Sequence, residues 1–348
     1  MRLACLFCFL AFSLSADDRL TLPAFLAKVR GTTTAARIES ASLQLLGAPY
    51  LDAPLGEGAS SRYDAGPLVR LDGFDCTTFV ETVLAAAKSK NVAEFEKTLQ
   101  RIRYRNGQVG FATRNHFPCV DWIPQNSRNG ILTDITEATG AAWGVEYATA
   151  EISKKGWAEK LGVGVIRVPG LSDAERATRL AELQAKLQAL PAEQPHLPYI
   201  PFTKFITRKE VPADELARRA EEERQLAKSE KYQPRQPLSL EADLEKQLHD
   251  DVVGLKLKYL IQDTEVDAKL LAAIPSGTIL NVVRPRWKIP GTFLNISHQG
   301  FVIQKEQGTF FRHVSKSTGR AKDVPLANYL RLCLLMPAIK GINLVQAR

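Results

Sequence analysis

Apolar residues recur at helical spacing in the first third of the chain. Residues 34–46 (TAARIESASLQLL) are good helix formers, and Gly47 supplies a stop signal after them. A second helix is expected from about Asp75, because the apolar positions 76, 80, 83, 84 and 87 fall on one helical face. The loop between the two helices is rich in glycine and proline. Cys76 is therefore expected in the first turn of a helix, on its inward stripe.

The middle of the chain contains one clear helix signal and one highly charged segment. Ser172 and Glu175 form a capping-box pattern, and leucines at 180, 183, 187 and 190 follow at core-facing spacing. Residues 208–249 are dense in Glu, Lys, Arg and Gln and poor in large apolar residues. We interpret this segment as a charged helical insertion within one domain. Its mixed charges argue against a basic helix that grips a membrane.

The last third of the chain changes to the pattern of strands. TILNVV follows the turn PSG, and SHQGFVIQ and TFFRHV are separated by the turn-like KEQG, which predicts a hairpin. Residues 326–336 then return to a helical pattern. Helices first and an antiparallel sheet last predict an α+β fold.

The N-terminus has the pattern of a secretory signal. Arg2 precedes the apolar run LACLFCFLAFSL, and small residues lead into Asp17. We predict a signal peptide over 1–16 and one domain over 17–348, exported to the periplasm or secreted. No later apolar run approaches the ~20 residues that a membrane span needs. The remaining composition, 45% hydrophobic and 24% charged, fits a globular domain with a sizeable core.

The chain carries a formal net charge of +8, which indicates an acidic partner. The basic residues cluster in two stretches: Arg101, Arg103, Arg105, Arg114 and Arg128, and then Arg284, Arg286, Lys288, Lys316, Arg320 and Lys322. Nucleic acid is the usual partner for such a charge, but no nucleic-acid-binding motif is present and an exported protein meets little of it. Peptide carboxylates and anionic cell-wall polymers are the expected partners.

Export would leave three cysteines, Cys76, Cys119 and Cys333. An odd number in an oxidising compartment points to a functional free thiol. Cys119 and Cys333 could pair, although the apolar run LRLCLLM around Cys333 is typical of a core. A helix N-terminus favours a thiolate, and its N–H groups can stabilise an oxyanion, so Cys76 is the candidate nucleophile. An inert buried cysteine is the alternative.

Three of the five histidines lie where they could assist chemistry. His298 and His313 stand on the two arms of the predicted hairpin, and His116 lies in the loop RNHFPCVDWIP. A strand histidine that faces a helix-borne cysteine can take its proton, and a polar group on the next strand can orient the ring. Zinc held by these three histidines is the competing interpretation. The chain lacks HExxH and paired CxxC motifs, and it lacks the GxSxG of serine hydrolases, so no cofactor is expected.

These segments resemble a known group of enzymes. GFDCTTFVET resembles the nucleophile motif of the NlpC-type, papain-like cell-wall hydrolases, and SHQGFVI and FFRHVS resemble their two following strands. LGAPY, RNHFPCVDWIPQN, LPYIPFTKFI and KGIN are similar to the N-acetylmuramoyl-L-alanine amidase-like branch. The resemblance runs from about Leu20 to the C-terminus. It implies a papain-like fold, with the helix-borne cysteine packed on an antiparallel sheet and helical insertions around it.

The resemblance also implies an activity and a set of roles. The activity is hydrolysis of the amide between N-acetylmuramic acid and L-alanine in peptidoglycan or muropeptides. Cys76 would be the nucleophile, His298 the base and His313 the orienting residue. Tyr50 and Asp75 would shape the site, and the substrate wall would comprise Arg114, Asn115, His116, Asp121 and Trp122. Three of these have plainer alternatives: Trp122 as core, Asp121 as a turn or cap, and Arg114 as surface.

Three rival functions stay open at this stage. One is the same chemistry on the D-glutamyl–diaminopimelate bond of the stem peptide. Another is a non-catalytic protein that binds the cell wall. The third is transfer of the acyl group to an amine instead of water.

Overall fold

The computed structural model describes residues 20–229, 252–317 and 319–348. The predicted signal peptide, 1–16, lies outside the described residues, as does the part of the charged insertion from 230 to 249. Within the described ranges, no helix is long and apolar enough to cross a membrane.

Thirteen α-helices are described, and they are numbered in chain order. They are α1 (Leu22–Lys28), α2 (Thr34–Gln44), α3 (Cys76–Ala87), α4 (Val92–Arg103), α5 (Ile123–Arg128), α6 (Thr136–Gly140), α7 (Lys154–Ala158), α8 (Asp173–Gln188), α9 (Phe202–Phe205), α10 (Ala213–Ser229), α11 (Val252–Asp263), α12 (Ala268–Ala273) and α13 (Leu326–Cys333).

Twelve strands are described in the same way. They are β1 (Leu132–Asp134), β2 (Glu146–Ala148), β3 (Ile152–Ser153), β4 (Ala192–Glu193), β5 (Leu197–Pro201), β6 (Ile206–Arg208), β7 (Thr264–Val266), β8 (Ile279–Ile289), β9 (Thr292–Lys305), β10 (Gly308–Val314), β11 (Ala321–Pro325) and β12 (Gly341–Ala347).

Helix α3 begins where its sequence predicts a start. The Asp75 side chain accepts a hydrogen bond from the Thr78 N–H at 2.8 Å, and Thr78 Oγ1 accepts one from the Asp75 N–H at 3.0 Å. This reciprocal capping box satisfies donors that a helix start otherwise leaves without partners. Every residue from Thr78 to Ala87 is buried, so α3 is a core helix on all sides.

The main sheet has eight strands, and every described pairing in it is antiparallel. Its order is β11-β10-β9-β8-β12-β5-β2. The strand β1 pairs with residues 345–347 of β12, which follow the residues 341–342 that pair with β5. The α+β class with an antiparallel sheet is confirmed, and so is the β9–β10 hairpin. The expectation that helices come first and the sheet last was too simple. Short strands from the middle of the chain and a strand after the last helix complete the sheet, and segments of three to seven residues carry too little periodicity to reveal this.

Alternation along β9 divides the core into two clusters. Phe301 and Ile303 belong to the cluster that contains α3, whereas Val302 belongs to the cluster on the opposite face, with Phe311 and helix α13. The rings of Phe79 and Phe301 meet edge to face, with their centroids 6.1 Å apart. This aromatic contact fixes the N-terminal half of α3 on the middle of β9.

The predicted leucine-rich helix and the charged insertion lie at the periphery. Ser172 and Glu175 form the predicted capping box, and Leu183 and Leu187 are buried in a small third cluster. The described part of the insertion is the helix α10. It contacts α11 through polar pairs, such as Tyr259 with Glu222 and Arg219 with Asp263. Residues 213–229 of this segment thus form a helix with polar contacts to α11.

The aromatic contact between α3 and β9 leads to a stability prediction. Phe301→Ala should lower the free energy of unfolding by about 3–5 kcal/mol, because it removes a fully buried ring and leaves a cavity. Denaturant unfolding would measure the loss. Leu43→Ala is the control, since Leu43 is 59% exposed on α2 and should change stability by less than about 0.5 kcal/mol. Equal losses in the two variants would contradict this account of the core.

Candidate active site

Cys76 is the first residue of α3 and is partly exposed. Its N–H occupies the first turn, where a helix provides no internal acceptor. The positive end of the helix dipole lies at the same place and favours a negative sulfur. The neighbouring Thr77 hydroxyl lies 3.9 Å from Cys76 Sγ. These features favour the thiolate form of the side chain, which is the form that can attack a carbonyl carbon.

His298 and His313 form a pair on neighbouring strands. His298 Nε2 lies 2.7 Å from His313 Nδ1, which is a short hydrogen bond between the two rings. Gly300 makes this approach possible, because a Cβ at that position would come within 2.7 Å of the His313 Cβ. The pair leaves Nδ1 of His298 as the ring nitrogen that does not face His313.

Burial sets the charge of both rings. It lowers the pKa of His298 from 6.5 to about 4. The pKa of His313 lies well below its ordinary value, because the ring is buried and also feels the charges of His298 and Lys322. Both imidazoles are therefore neutral at neutral pH, which is the form that can accept a proton.

A side-chain hydrogen bond joins the helix that carries Cys76 to the strand that carries His298. Gln299 Nε2 donates to Thr77 Oγ1 at 2.8 Å, and each of these residues is the immediate successor of a candidate catalytic residue. Gln299 thus points towards α3, and the ring of its neighbour His298 lies near Phe311 and Tyr329. Sequence reasoning missed Thr77 and Gln299, because only the folded contact reveals their role.

Tyr50 connects the segment before Cys76 with the loop after His313. Its N–H donates to Gly319 O at 2.8 Å, and it forms a bridge with Phe74. Its hydroxyl donates to Asp52 Oδ1 at 2.8 Å, and burial raises the pKa of the phenol. The Cys76 thiol is among the groups that influence that pKa, so Tyr50 lies near Cys76. Asp75, the other predicted shaping residue, holds the helix cap, and its own pKa is raised by burial.

The five residues predicted as a substrate wall are held by internal contacts. Arg114 pairs with Glu57 and with Asp64, whose carboxylate also binds Arg167. Asn115 Nδ2 donates to Ile102 O at 3.0 Å. Each of these contacts anchors the chain around the 51–72 loop and the end of α4. A role in substrate binding stays a prediction for both residues.

The rest of the predicted wall lies deeper. Asp121 forms a buried ion pair with Lys154 at 2.6 Å and also accepts from the Phe117 N–H. Trp122 is 1% exposed and belongs to the core. For Trp122 and Asp121 the structure thus supplies the plainer roles that the sequence left open. Substrate contact by them remains untested.

His116 packs between aromatic rings, and its environment contains neither His298 nor His313. Its ring lies 4.7 Å from the Phe111 ring and 4.8 Å from the Trp157 ring, and its Nε2 lies 2.8 Å from Phe111 O. Burial, reinforced by the nearby Arg114 charge, lowers its pKa to about 3. Within the described residues, no group of three or more His, Cys, Asp or Glu is arranged to hold a metal ion.

A buried ion pair joins α3 to α4. Arg103, at the end of α4, donates to Glu81 of α3 at 2.7 Å, and both side chains are 4% exposed. Arg103 also donates to Leu68 O at 2.9 Å. Arg103 and Arg114 were counted as part of a basic cluster, but their charges are neutralised inside the fold.

The three described cysteines are free thiols. Cys119 and Cys333 are buried in different clusters, so a disulfide between them is not formed. Burial raises the pKa of Cys119 to about 12. Cys76 is therefore the only partly exposed thiol in the described part of the chain.

A family model matches most of the chain. It describes AmiA-like proteins, that is N-acetylmuramoyl-L-alanine amidase-like proteins, and it matches residues 40–220 and 224–333. The matched ranges include Cys76, His298 and His313. No protein of the curated set matches the chain.

Solved structures share the fold over nearly the whole chain. A protein of Legionella pneumophila strain Philadelphia 1 is 30% identical, with a TM-score of 0.73, and the match covers 93% of this chain and 92% of that one. An N-acetylmuramoyl-L-alanine amidase of Bacteroides uniformis is 21% identical, with a TM-score of 0.53 and coverage of 90% and 99%. A suspected xylanase of Bacteroides fragilis is 20% identical, with a TM-score of 0.50 and coverage of 88% and 98%. Because the names of the two Bacteroides proteins differ, likeness at this identity shows the fold alone.

The buried His116 ring leads to a prediction about acid stability. Its pKa is about 3 in the folded chain and about 6.5 when unfolded, so below pH 6.5 only the unfolded chain takes up this proton. Its contribution to stability is complete above pH 6.5 and is lost as the pH falls towards 3. Between pH 6.5 and 4, His116→Phe should therefore lose about 3 kcal/mol less of its free energy of unfolding than the native chain.

Denaturant unfolding at several pH values measures this slope. The slope is the informative quantity, because other titrating groups contribute equally to both proteins. His196→Phe is the matched control, since His196 is exposed on the surface, and it should keep the native slope. Identical slopes for native and His116→Phe would show that burial does not hold this ring neutral.

Proposed function

Because the chain belongs to the N-acetylmuramoyl-L-alanine amidase-like family, we propose that it is an exported cysteine amidase of papain-like, NlpC-type fold. Its substrate would be peptidoglycan or muropeptides, and its bond the amide between N-acetylmuramic acid and L-alanine. One observation carries the cysteine mechanism. His298, whose ring is hydrogen-bonded to His313, lies on the strand that Gln299 ties to the N-terminus of the cysteine-bearing helix.

In the proposed acylation step, Cys76 is the nucleophile. Neutral His298 takes the thiol proton, and Sγ attacks the lactyl carbonyl carbon. The C–N bond then breaks as His298 delivers its proton to the departing alanine amine. The products of this step are a thioester on Cys76 and a free peptide that begins with L-alanine.

In the proposed deacylation step, water replaces the peptide. His298 accepts a proton from water, the hydroxide attacks the thioester, and the thiol leaves with that proton. The sugar carries away a carboxylate, and Cys76 and His298 return to their initial state. Cysteine and histidine supply both the nucleophile and the proton.

Each supporting residue has a defined task in this cycle. In this cycle Nε2–H of His298 donates to Nδ1 of His313, which fixes the ring and leaves Nδ1 of His298 as the nitrogen that accepts a proton. The N–H of Cys76 can donate to the oxyanion, because the helix offers it no acceptor. Tyr50 and the Asp75 cap hold the segment that enters α3.

The thiol provides the first test. Cys76→Ala should abolish cleavage, a loss of more than about 1000-fold, while the unfolding midpoint stays close to that of the native protein. Defined muropeptides would be incubated with each protein, and the products identified by mass. Cys333→Ala is the matched control, since Cys333 is a buried thiol in the other cluster, and it should retain activity.

The masses of the products decide among the rivals. A free peptide that begins with L-alanine supports the amidase. Cleavage after D-glutamate keeps the mechanism and changes the bond, and an amide product supports acyl transfer. A folded Cys76→Ala protein that still cleaves would overturn the cysteine mechanism. No cleavage by the native protein would favour a binding protein.

The neutral state of His298 provides the second test. Because burial lowers its pKa to about 4, the base form persists at pH values where an ordinary imidazole is protonated. The acidic limb of the pH profile of kcat/KM should therefore lie below pH 6. An acidic limb at pH 6.5 or above would contradict this assignment. His298→Ala should lose activity at every pH, and His196→Ala should keep the native profile.

A further inference from the structure

Arg284 is a partly exposed cation on β8 that lacks a counter-charge. Among the described residues, no carboxylate lies within salt-bridge distance of its guanidinium. The recorded polar contact of its Nη2 is with Met336 Sδ, at 3.4 Å, and its buried Nε has no hydrogen-bond partner. Burial lowers the pKa of Arg284, which reflects the cost of removing this charge from water. Most other arginines removed from water here, such as Arg103 and Arg312, have a carboxylate.

The guanidinium of Arg284 is nevertheless held in place. Its central carbon lies 4.5 Å from the centroid of the Trp287 ring, which is the geometry of a cation–π contact. Stacking on Trp287 and the contact with Met336 fix the plane of the group, and its N–H edge can still bind a partner. A fixed guanidinium fork matches the two oxygens of a carboxylate.

Arg284 lies on the His298 face of the sheet. Val282 pairs directly with His298, and Arg284 follows two residues later on the same face. Tyr329 links the two positions, since its ring lies 6.2 Å from the His298 ring and its hydroxyl influences the pKa of Arg284. Arg284 therefore lies on the same face of β8 as Val282, the residue that pairs with the proposed base.

An irregularity in the strand pair directs the Arg284 side chain. Val283 pairs with Ile296 and Trp287 pairs with Leu294, so three residues of β8 stand opposite one residue of β9. Pro285 lies within this bulge and has no N–H to give to the ladder. Bulges of this kind change the direction of side chains and are common beside functional sites.

We propose that Arg284, supported by Trp287, is a substrate-binding residue that takes a free carboxylate of the stem peptide. This inference rests on the proposed function, because the stem peptide is the leaving group of that reaction. The carboxylate would supply a counter-charge for Arg284 and orient the peptide relative to His298. Arg284 would thus bind the negative charge of the substrate on the same side of the sheet as His298.

The test compares one substrate with and without its negative charge. The substrates are N-acetylmuramoyl-L-alanyl-D-glutamate and the same compound with both carboxyl groups amidated. Arg284→Gln should raise KM for the charged substrate about 10- to 100-fold, the range expected for one charge-assisted hydrogen bond. For the amidated substrate, the variant and the native protein should differ less than about threefold.

Matched variants separate binding from folding. Arg286→Gln is the control, since Arg286 is exposed on the same hairpin, and it should behave as the native protein with both substrates. Arg284→Lys keeps the charge without the fork and should fall between Arg284→Gln and native. The unfolding midpoint of Arg284→Gln should not fall, because the native side chain carries an uncompensated charge.

The outcomes separate this inference from the proposed function. If native and Arg286→Gln cleave both substrates and Arg284→Gln has the native KM for the charged one, the inference alone is overturned. The same holds if Arg284→Gln weakens both substrates equally. If the native protein cleaves neither substrate, the proposed function is overturned and this inference falls with it.

Discussion

The contact between α3 and β9 is the constraint on which the candidate site depends. Phe79 packs on Phe301, and Thr77 accepts a hydrogen bond from Gln299. The apolar contact supplies most of the stabilisation, since burial of two aromatic rings outweighs a single neutral hydrogen bond. The hydrogen bond adds register, because it fixes which residue of the helix meets which residue of the strand. This register therefore determines where Cys76 and His298 lie.

A second set of interactions fixes the loop that leads into the helix that begins with Cys76. The Asp64 carboxylate forms ion pairs with both Arg114 and Arg167. Arg167 also donates hydrogen bonds to the carbonyls of Ala53 and Leu55. Charged hydrogen bonds thus hold the loop of residues 51–72 together with the burial of Leu55 and Tyr63. The conformational freedom of the chain is thereby removed just before the helix cap at Asp75.

The sequence predicted the elements with strong local signals. The helix start near Asp75, the capping box at Ser172 and the hairpin that carries His298 and His313 were visible, because caps, periodicity and turns are local. The completion of the sheet by short strands was not visible, since their pairing is decided by distant partners. The same limit applies to the site. The sequence named Arg114 and Asp121 from a resemblance, but only packing reveals that both charges are satisfied internally. It placed Arg284 in a basic cluster, and could not reveal that this cation has no carboxylate partner among the residues that the structure describes.

The complete burial of α3 beyond its first two residues also has a dynamic consequence. Every backbone amide from Thr78 to Ala87 lies in the part of the molecule that opens only when the whole domain opens. Many enzymes carry their nucleophiles on segments that loosen before the rest. Here the thiol is attached to a helix that is buried along nearly its whole length, so heat inactivation and global melting should coincide in a single cooperative transition.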